Sequence, residues 1–541
     1  MQKTIILQPD YTAFRSYYQI KLPLEMESMI PSDDPVRLLS AFVEGMDLSE
    51  LYRTYDRIRK NQASPRQMLK IMVYAAMNGI YSSRDIETAC RRDINFMYLL
   101  EGMPVPDHAT IARFISLHLS SCSKDILSEV TSILLSLGEI SGKTVFIDGT
   151  KIEAYANKYT FVWKKAVTKH QARLFDKIAA LIAECEVMYG IKIVYNEQIS
   201  LRTLKRLRKK LYVIKQEEGI SFVHGIGKRK TPIQRSIEQL EAYTAKLKDY
   251  TKKLHICGDR NSYSKTDPDA TFMRLKEDHM LNGQLKPAYN LQHGVDAQYI
   301  TWLDISSRPG DVTTLVPFLK DMENYLPFKY TEIVADAGYE SEEAYVFMED
   351  NGQESYIKPQ NYEISKTRKY RQDISRRENM IYLEDEDCYI CSQGRKLIYV
   401  GERTKRNRNG YVSTETIYEC EDCGGCQHKE QCIHGNNSKT PMEERNKRVW
   451  ISKVMHRKRQ ETLERITTEY GTQLRMNRSI QAEGSFAVIK EDMGFRQYLY
   501  RGKENVLAQS VLAAIAHNIN KLHFKIQGGR TGQFLTDLKT A

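Results

Sequence analysis

The stretch TVFIDGTKIEAY, residues 144–155, decides the fold prediction. Its first four residues favour a β-strand, which runs directly into Asp148 and then Gly149. A carboxylate at the end of a buried strand is costly to desolvate unless a proton, a cation or hydrogen-bond donors meet it. The sequence therefore predicts a proton, a cation or hydrogen-bond donors next to Asp148 at the end of this strand.

A second stretch, TEIVADAGY at residues 331–339, repeats this pattern. A short apolar run leads into Asp336, and Gly338 follows two residues later. Two strands of one sheet that each end in a carboxylate can bring both acids to one edge. Mg²⁺ is held at such sites by a few carboxylates plus substrate phosphates, so a third acid is expected on a helix packed against the sheet.

The candidate for the third acid lies in RSIQAEGSFAVIKEDMGF, residues 478–495. At ~100° per residue, Glu483, Phe486 and Lys490 fall on or near one helical face. Glu491 and Asp492 are alternatives in the same stretch, but they are rotated by about 80° and about 180° from Glu483. The helical phase therefore favours Glu483.

Charge and apolar content restrict the class of protein. Lys and Arg number 80 against 69 for Asp and Glu, which gives a formal net charge of +11. This excess favours a polyanion such as nucleic acid as partner, although a merely basic protein fits equally well. No apolar run approaches the ~20 residues that would span a bilayer. We expect a cytoplasmic, nucleoid-associated protein without a membrane partner.

Residues 31–135 are predicted to be helical throughout. Ser64 is a predicted N-cap with Pro65 in the first turn, and another helix starts at Asp107. The short helices carry arginines that suit either a helix-turn-helix DNA reader or a plain helical bundle. These arginines are Arg84, Arg91, Arg92 and Arg113.

Two further patterns follow the first strand. Residues 164–260 are strongly basic, and apolar residues at steps of four and three predict a long antiparallel helical hairpin. Residues 287–359 then alternate between strand and helix patterns. With the hairpin removed, the order is strand, strand, strand, helix, strand, helix, strand, which is typical of an α/β fold.

Six of the ten cysteines are close together in the chain, which points to metal binding before disulfide formation. The six are Cys388, Cys391, Cys420, Cys423, Cys426 and Cys432. The Cys-x2-Cys pairs have the spacing that a tetrahedral Zn²⁺ needs, and His434 is a spare ligand. We expect Cys388, Cys391 and two of the later group to bind one structural Zn²⁺; a reduced, partly buried cluster is the alternative.

The stretches FIDGTKIEA, VADAGYES and EGSFAVIKEDMGFRQYLYRG together resemble the DDE transposases of bacterial insertion sequences. The resemblance covers nearly the whole length. It implies that Asp148, Asp336 and Glu483 are the metal-binding triad and that Lys490 lies near phosphate. Many relatives carry Tyr-x2-Arg-x3-Glu-x6-Lys. Here Met476 and Ser479 stand at the Tyr and Arg places, and Arg478 sits one residue early as a candidate DNA contact.

The resemblance also implies an RNase H-like catalytic core, a mixed sheet flanked by helices. The expected organisation is an N-terminal helical DNA-binding domain, a core split by two insertions, and C-terminal helices that carry the catalytic Glu. The boundaries are 1–135 for the helical domain, 136–163 and 271–364 for the core, 164–270 for the basic helical hairpin, 365–445 for the Cys-rich insertion, and 446–541 for the C-terminal helices.

The implied activity is DNA transposition. Two Mg²⁺ or Mn²⁺ ions per active site would support cleavage at the terminal inverted repeats and transfer of the freed 3′-hydroxyl to target DNA. Synapsis of two ends implies a homodimer on double-stranded DNA. The alternatives are a catalytically inactive DNA-binding repressor of transposition and a non-mobile RNase H-like nuclease.

Overall fold

A computed structural model describes residues 29–58, 61–195, 199–225, 227–275, 283–435 and 440–534. The predicted α/β class is confirmed, since a mixed sheet flanked by helices forms the centre, consistent with an RNase H-like core. Helices precede this sheet in the chain and also follow it. Within the described ranges, none of the helices combines the length and the apolar character that a bilayer crossing requires.

Thirteen strands are described. They are β1 Thr144–Glu153, β2 Phe161–Trp163, β3 Ser262–Ser264, β4 Thr271–Arg274, β5 Leu285–Asp296, β6 Tyr299–Ser306, β7 Glu332–Ala335, β8 Glu354–Ile357, β9 Ile381–Leu383, β10 Cys388–Ile390, β11 Lys396–Arg406, β12 Val412–Cys420 and β13 Arg448–Ile451. The central sheet has the order β4-β5-β1-β7-β8, with β6 also paired to β5. Strands β1, β7 and β8 run parallel, whereas β5 is antiparallel to β1, β4 and β6.

The N-terminal helices begin where the sequence predicts caps. The Ser64 hydroxyl accepts from the Gln67 N–H while the Gln67 side chain accepts from the Ser64 N–H, a capping box before Pro65. Asp107 caps the next predicted start. The helices are Pro35–Glu44, Ser49–Arg53, Pro65–Met77, Ser83–Arg92, Ile94–Leu100, His108–Arg113 and Ser120–Ser136.

The basic insertion contains one more helix than the predicted hairpin. Its helices are Lys164–Tyr189, Leu201–Glu217 and Pro232–Cys257. The two predicted stripes do pack together, with Leu207 against Ile237 and Leu240 in one buried cluster. Leu174 and Ile178 of the first helix complete that cluster. The prediction of two helices was wrong because the first helix repeats its apolar residues less regularly than the others.

The remaining helices follow the central sheet strands. They are Leu315–Tyr325, Glu342–Asp350, Arg368–Arg371, Lys429–Cys432, Lys453–Thr467, Glu469–Arg478, Gly484–Ala487 and Lys503–Gln527. The last helix is almost wholly buried and covers the outer strand β6. Asn518 accepts from the Ile300 N–H at 2.8 Å and donates to the Ile300 carbonyl at 2.9 Å. This amide satisfies the backbone N–H and carbonyl of Ile300 on the edge strand, so these two groups are not open to another chain.

The two faces of the central sheet pack against different layers. Because side chains alternate along a strand, Phe146 and Val334 lie on one face, where they share a buried cluster with Ala482. Val145 and Ile333 lie on the other face, in the large core that joins the sheet to the N-terminal helices and the last helix. Position 148 follows 146 by two, and 336 follows 334 by two. Both predicted aspartates therefore fall on the face that the Glu483 helix covers.

The last helix makes the core sensitive to acid through His517. Its Nε2 donates to the Gln298 carbonyl at 3.0 Å, its Nδ1 is buried without a partner, and burial lowers its pKa from 6.5 to about 4. Because the unfolded state binds a proton that the folded state refuses, stability is full above pH 6.5 and is lost as pH falls toward 4.

We therefore expect the free energy of unfolding to fall by roughly 2 kcal/mol between pH 7 and 5 because of this histidine. Chemical denaturation at both pH values measures the change. His517→Gln keeps a donor for Gln298 but cannot titrate, so its loss between pH 7 and 5 should be smaller by that amount. Equal losses in the two proteins would contradict the assignment.

Candidate active site

Asp148 and Asp336 stand side by side where the pairing of β1 with β7 ends; β7 stops there, but β1 continues to Glu153, so the expectation that the first strand ends at Asp148 was wrong. Strands β1 and β7 are parallel neighbours in which Ile147 pairs with Ala335, so the two aspartates occupy the next position on each strand. Adjacent strands lie about 4.8 Å apart, which sets the scale of their separation. Asp148 is half-buried and Asp336 is exposed. The end of this sheet therefore presents two carboxylates to solvent.

Gly149 is required by close packing beside Asp148. A Cβ atom built on Gly149 would lie 2.4 Å from the Gln292 amide nitrogen and 2.9 Å from the Tyr339 hydroxyl. The Gln292 amide therefore fills the space that a side chain at 149 would need. Tyr339 donates a hydrogen bond to the Gln292 Oε1. This contact between β1, β5 and the turn after β7 explains why a glycine follows Asp148.

The carboxylates around Asp148 and Asp336 affect the pKa of the nearby Tyr339 hydroxyl. Burial raises that pKa well above 10, and the negative charges of Asp311, Asp148 and Asp336 raise it further. Arg478 acts in the opposite direction. The sequence prediction missed Asp311, because it follows the strand pattern of β6 within a turn and no apolar run leads directly into it.

Arg478 connects the helix to the sheet end. Its guanidinium lies 2.8 Å from Glu483 and 3.4 Å from Asp148. Residues Ser479–Glu483 form a π-helical turn, in which residues five apart lie above one another. The extra residue between the arginine and Glu483, relative to the family spacing, is absorbed by this turn. Arg478 therefore reaches Glu483 although it stands one residue early in the chain.

The phase of the Glu483 helix is set by Phe486. Its ring stacks on His293 with centroids 4.3 Å apart, and His293 is the cross-strand neighbour of Asp148 on β5. Glu483, with a side chain 55% exposed, lies at the edge of this contact. Glu491 is equally exposed but pairs with Arg496 instead. This geometry favours Glu483 over Glu491 as the acid that faces the sheet end.

The carboxylates suit a hard divalent cation by chemistry, but their side chains do not converge on one point. Within the described ranges, no group of three or more His, Cys, Asp and Glu side chains is arranged to hold a metal ion. Arg478 instead supplies the positive charge at Asp148 and Glu483. A cation at these oxygens would compete with the guanidinium.

The other predicted DNA contacts are solvent-facing or lie beside the site. The N-terminal arginines are all exposed, on the helices Ser83–Arg92 and His108–Arg113, and they are Arg84, Arg91, Arg92 and Arg113. Arg91 also pairs with Glu87 at 2.8 Å. Lys490 is half-buried in a second π-helical turn, Val488–Asp492. The structure thus leaves the four arginines able to reach a phosphate backbone.

Of the six cysteines that are close together in the chain, five lie near one another in the structure and one lies apart. Five of them line one small cavity, together with Lys447, and they are Cys391, Cys420, Cys423, Cys426 and Cys432. Burial and the neighbouring Cys423 raise the pKa of the Cys420 thiol to about 12. Cys388 is turned toward Glu386, with its sulfur 3.8 Å from that carboxylate. The expectation that Cys388 and Cys391 act as a pair is therefore not supported by the geometry.

Comparison with known protein families identifies two parts of the chain. Residues 24–117 match the family model described as Transposase domain (DUF772), and residues 390–523 match the one described as Transposase DDE domain. The second match contains Glu483 and five of the six clustered cysteines, whereas Asp148 and Asp336 lie outside both. Searches of curated proteins and of solved structures found no significant match. The two matches together cover less than half of the chain, and with the mixed sheet flanked by helices they support an insertion-sequence DDE transposase.

Proposed function

We propose that this transposase binds the terminal inverted repeats of its insertion sequence, cleaves DNA at the transposon ends and transfers the 3′-hydroxyl ends to target DNA. The observation that carries the proposal is the placement of Asp148 and Asp336 at equivalent positions of two parallel strands, with Glu483 linked to Asp148 through Arg478. Asp148 and Asp336 lie next to each other at the end of the β1–β7 pairing, and Arg478 holds Glu483 near Asp148 on the side that faces solvent.

Asp148, Asp336 and Glu483 would hold Mg²⁺ or Mn²⁺, two ions per site. When bound, such ions activate a water or a DNA 3′-hydroxyl as nucleophile and stabilise the leaving oxygen of an in-line displacement. The protein then needs to position the phosphodiester and to exclude competing reactions. No covalent bond between enzyme and DNA is required.

Arg478 serves as the counter-charge of the carboxylates in this proposal. It pairs with Asp148 and Glu483, and its side chain is only 18% exposed. With divalent cations held by the carboxylates, the guanidinium would instead be available to a phosphate of the DNA, for which its geometry is well suited. Lys490, further along the same helix, would extend this contact.

The basic surface supports a DNA substrate. The net charge of +11 and the four exposed arginines of the N-terminal helices favour binding to the phosphate backbone. Because both transposon ends must be cut and joined together, we propose a homodimer on DNA. Association with the nucleoid follows from the same affinity and stays a prediction.

Asp148→Asn and Asp336→Asn should each abolish cleavage of inverted-repeat DNA in Mg²⁺ while end binding persists. Each change removes the charge of one cation ligand and little of the basic surface. A nicking assay and a gel shift on the same substrate measure the two properties. Cleavage that survives in either variant would remove the assigned site, and binding without any wild-type cleavage would favour the repressor alternative.

Glu483→Gln should lower both strand cleavage and strand transfer by orders of magnitude, because it keeps the shape of the side chain but removes its charge. Glu491→Gln is the matched control. It lies on the same helix, has similar exposure and pairs with Arg496 rather than with Arg478, so its activity should stay close to that of the wild type. If Glu491→Gln were inactive and Glu483→Gln active, the third ligand would be wrongly assigned.

We also propose that four of the clustered cysteines bind one structural Zn²⁺, although among the described residues no three of them are placed to hold a metal ion. Thiolates are preferred ligands of zinc, and two glycines with positive φ shape tight turns beside the sulfurs, Gly394 after Cys391 and Gly425 before Cys426. The Lys447 N–H also donates to the Cys423 sulfur at 3.4 Å. Backbone N–H groups aimed at sulfur are suited to stabilise a metal-bound thiolate.

Protein purified without chelator should therefore contain zinc in an amount close to that of the chain, measured by elemental analysis. Cys423→Ser and Cys426→Ser should lower this content, because each removes a sulfur from the shared cavity. Cys388→Ser should retain it, since that sulfur faces Glu386. Absence of zinc from the wild type, or its loss in Cys388→Ser alone, would contradict this assignment.

A further inference from the structure

A fourth carboxylate, Asp311, lies close to the predicted triad and has no role in the proposed function. It stands in the turn between β6 and the helix Leu315–Tyr325 and is half-buried. Its backbone carbonyl accepts from the Thr314 N–H at 2.9 Å, which closes the turn. The side chain is directed toward β5 and the turn that follows β7.

One oxygen of Asp311 is occupied by two buried amides. Its Oδ1 accepts from the Asn290 side chain at 2.7 Å and from the Gln292 side chain at 3.2 Å. Asn290 and Gln292 lie on β5 and are only 1% and 2% exposed, and Asn290 also donates to the Arg308 carbonyl at 3.2 Å. Its Oδ2 lies 3.9 Å from the place where a Cβ on Gly338 would stand.

Asp311 determines which way the Gln292 amide points. A carboxylate can only accept hydrogen bonds, so Gln292 must turn its NH₂ group toward Asp311. Its carbonyl oxygen then faces the opposite side, where it accepts from the Tyr339 hydroxyl. The reversed amide would leave the NH₂ group without this acceptor in a buried space, which is unfavourable.

Tyr339 transmits this arrangement to Asp336. Residues Ala337–Tyr339 form a short 3₁₀ turn directly after Asp336, and the Tyr339 N–H donates to the Asp336 carbonyl at 3.0 Å. The Tyr339 ring is 1% exposed and is therefore held firmly by its surroundings. Because the Tyr339 ring cannot move, the short turn Ala337–Tyr339 is held in place. This turn determines the position of the Asp336 carboxylate relative to Asp148.

We propose that Asp311 is a positioning residue for DNA cleavage. It orients Gln292, Gln292 anchors Tyr339, and Tyr339 holds Asp336 in place beside Asp148. This proposal rests on the proposed function, since it concerns how that site is held. It predicts that the hydrogen-bond acceptor at position 311 matters and that its negative charge does not.

The experiment compares Asp311→Ala with Asp311→Asn. Removing the acceptor should lower cleavage and raise the Mn²⁺ concentration for half-maximal cleavage, each by about 10- to 100-fold, as for other residues that orient metal ligands. The asparagine variant keeps an acceptor for both amides and should stay near the wild type. Titration calorimetry of Mn²⁺ into the DNA-free protein should show the same order of affinity, independently of activity.

Tyr339→Phe provides a test that does not change Asp311. It removes only the hydroxyl that reaches Gln292, so it should resemble Asp311→Ala in its Mn²⁺ requirement. Because both changes break one chain of contacts, the double variant should lose little more than the worse single variant. Melting temperatures of all variants identify any that fail to fold, and Asp311→Asn and Tyr339→Phe then still decide the question.

Three results would overturn the inference. Asp311→Asn as inactive as Asp311→Ala would show that the charge itself is needed. Wild-type Mn²⁺ affinity in a folded Asp311→Ala protein would show that the site does not depend on this residue, and strictly additive losses would separate Asp311 from Tyr339. A wild-type protein that does not cleave inverted-repeat DNA would instead contradict the proposed function.

Discussion

Electrostatic repulsion between two carboxylates on adjacent strands is the constraint on which the candidate site depends. Asp148 and Asp336 occupy equivalent positions of β1 and β7, about one strand spacing apart. Two like charges at that distance repel unless a positive charge or hydrogen-bond donors compensate. Arg478 provides that charge from the helix above, and the π-helical turn after it lets the same guanidinium reach Glu483. The sheet, the helix and the arginine thus form one electrostatic unit.

The insertion that carries the cysteines is connected to this unit through a hairpin. The tip between β11 and β12 brings Asn409 to the Arg308 guanidinium at 2.6 Å and to the Thr313 carbonyl at 3.2 Å. Both contacts flank the turn of Asp311. Asn407 also binds Glu343 on the helix after the Asp336 turn. A brace at the cysteines would therefore stabilise loops that border the candidate site.

The apolar strands that lead into Asp148 and Asp336 were predictable, because apolar runs act locally, but β1 continues past Asp148 to Glu153 instead of ending there. The choice of Glu483 stays a prediction, since two π-helical turns interrupt the regular helical period on which it was based. The α/β class followed from the order of those patterns. Asp311 was not predictable, since its role comes from amides on β5 that only the folded sheet brings near. The ion pair between Arg478 and Glu483 depends on the π-helical turn Ser479–Glu483, which the residue spacing in the sequence does not indicate. Cys388 forms a Cys-x2-Cys spacing with Cys391 in the sequence, but on β10 its sulfur faces Glu386.

The most direct test is an anomalous diffraction map of crystals of the transposase bound to inverted-repeat DNA and Mn²⁺. We expect manganese density between Asp148 and Asp336, with Glu483 at its edge and the Arg478 guanidinium moved away from Asp148. Manganese bound elsewhere, with Arg478 still paired to Asp148 and Glu483, would contradict the claim that these three carboxylates form the catalytic site.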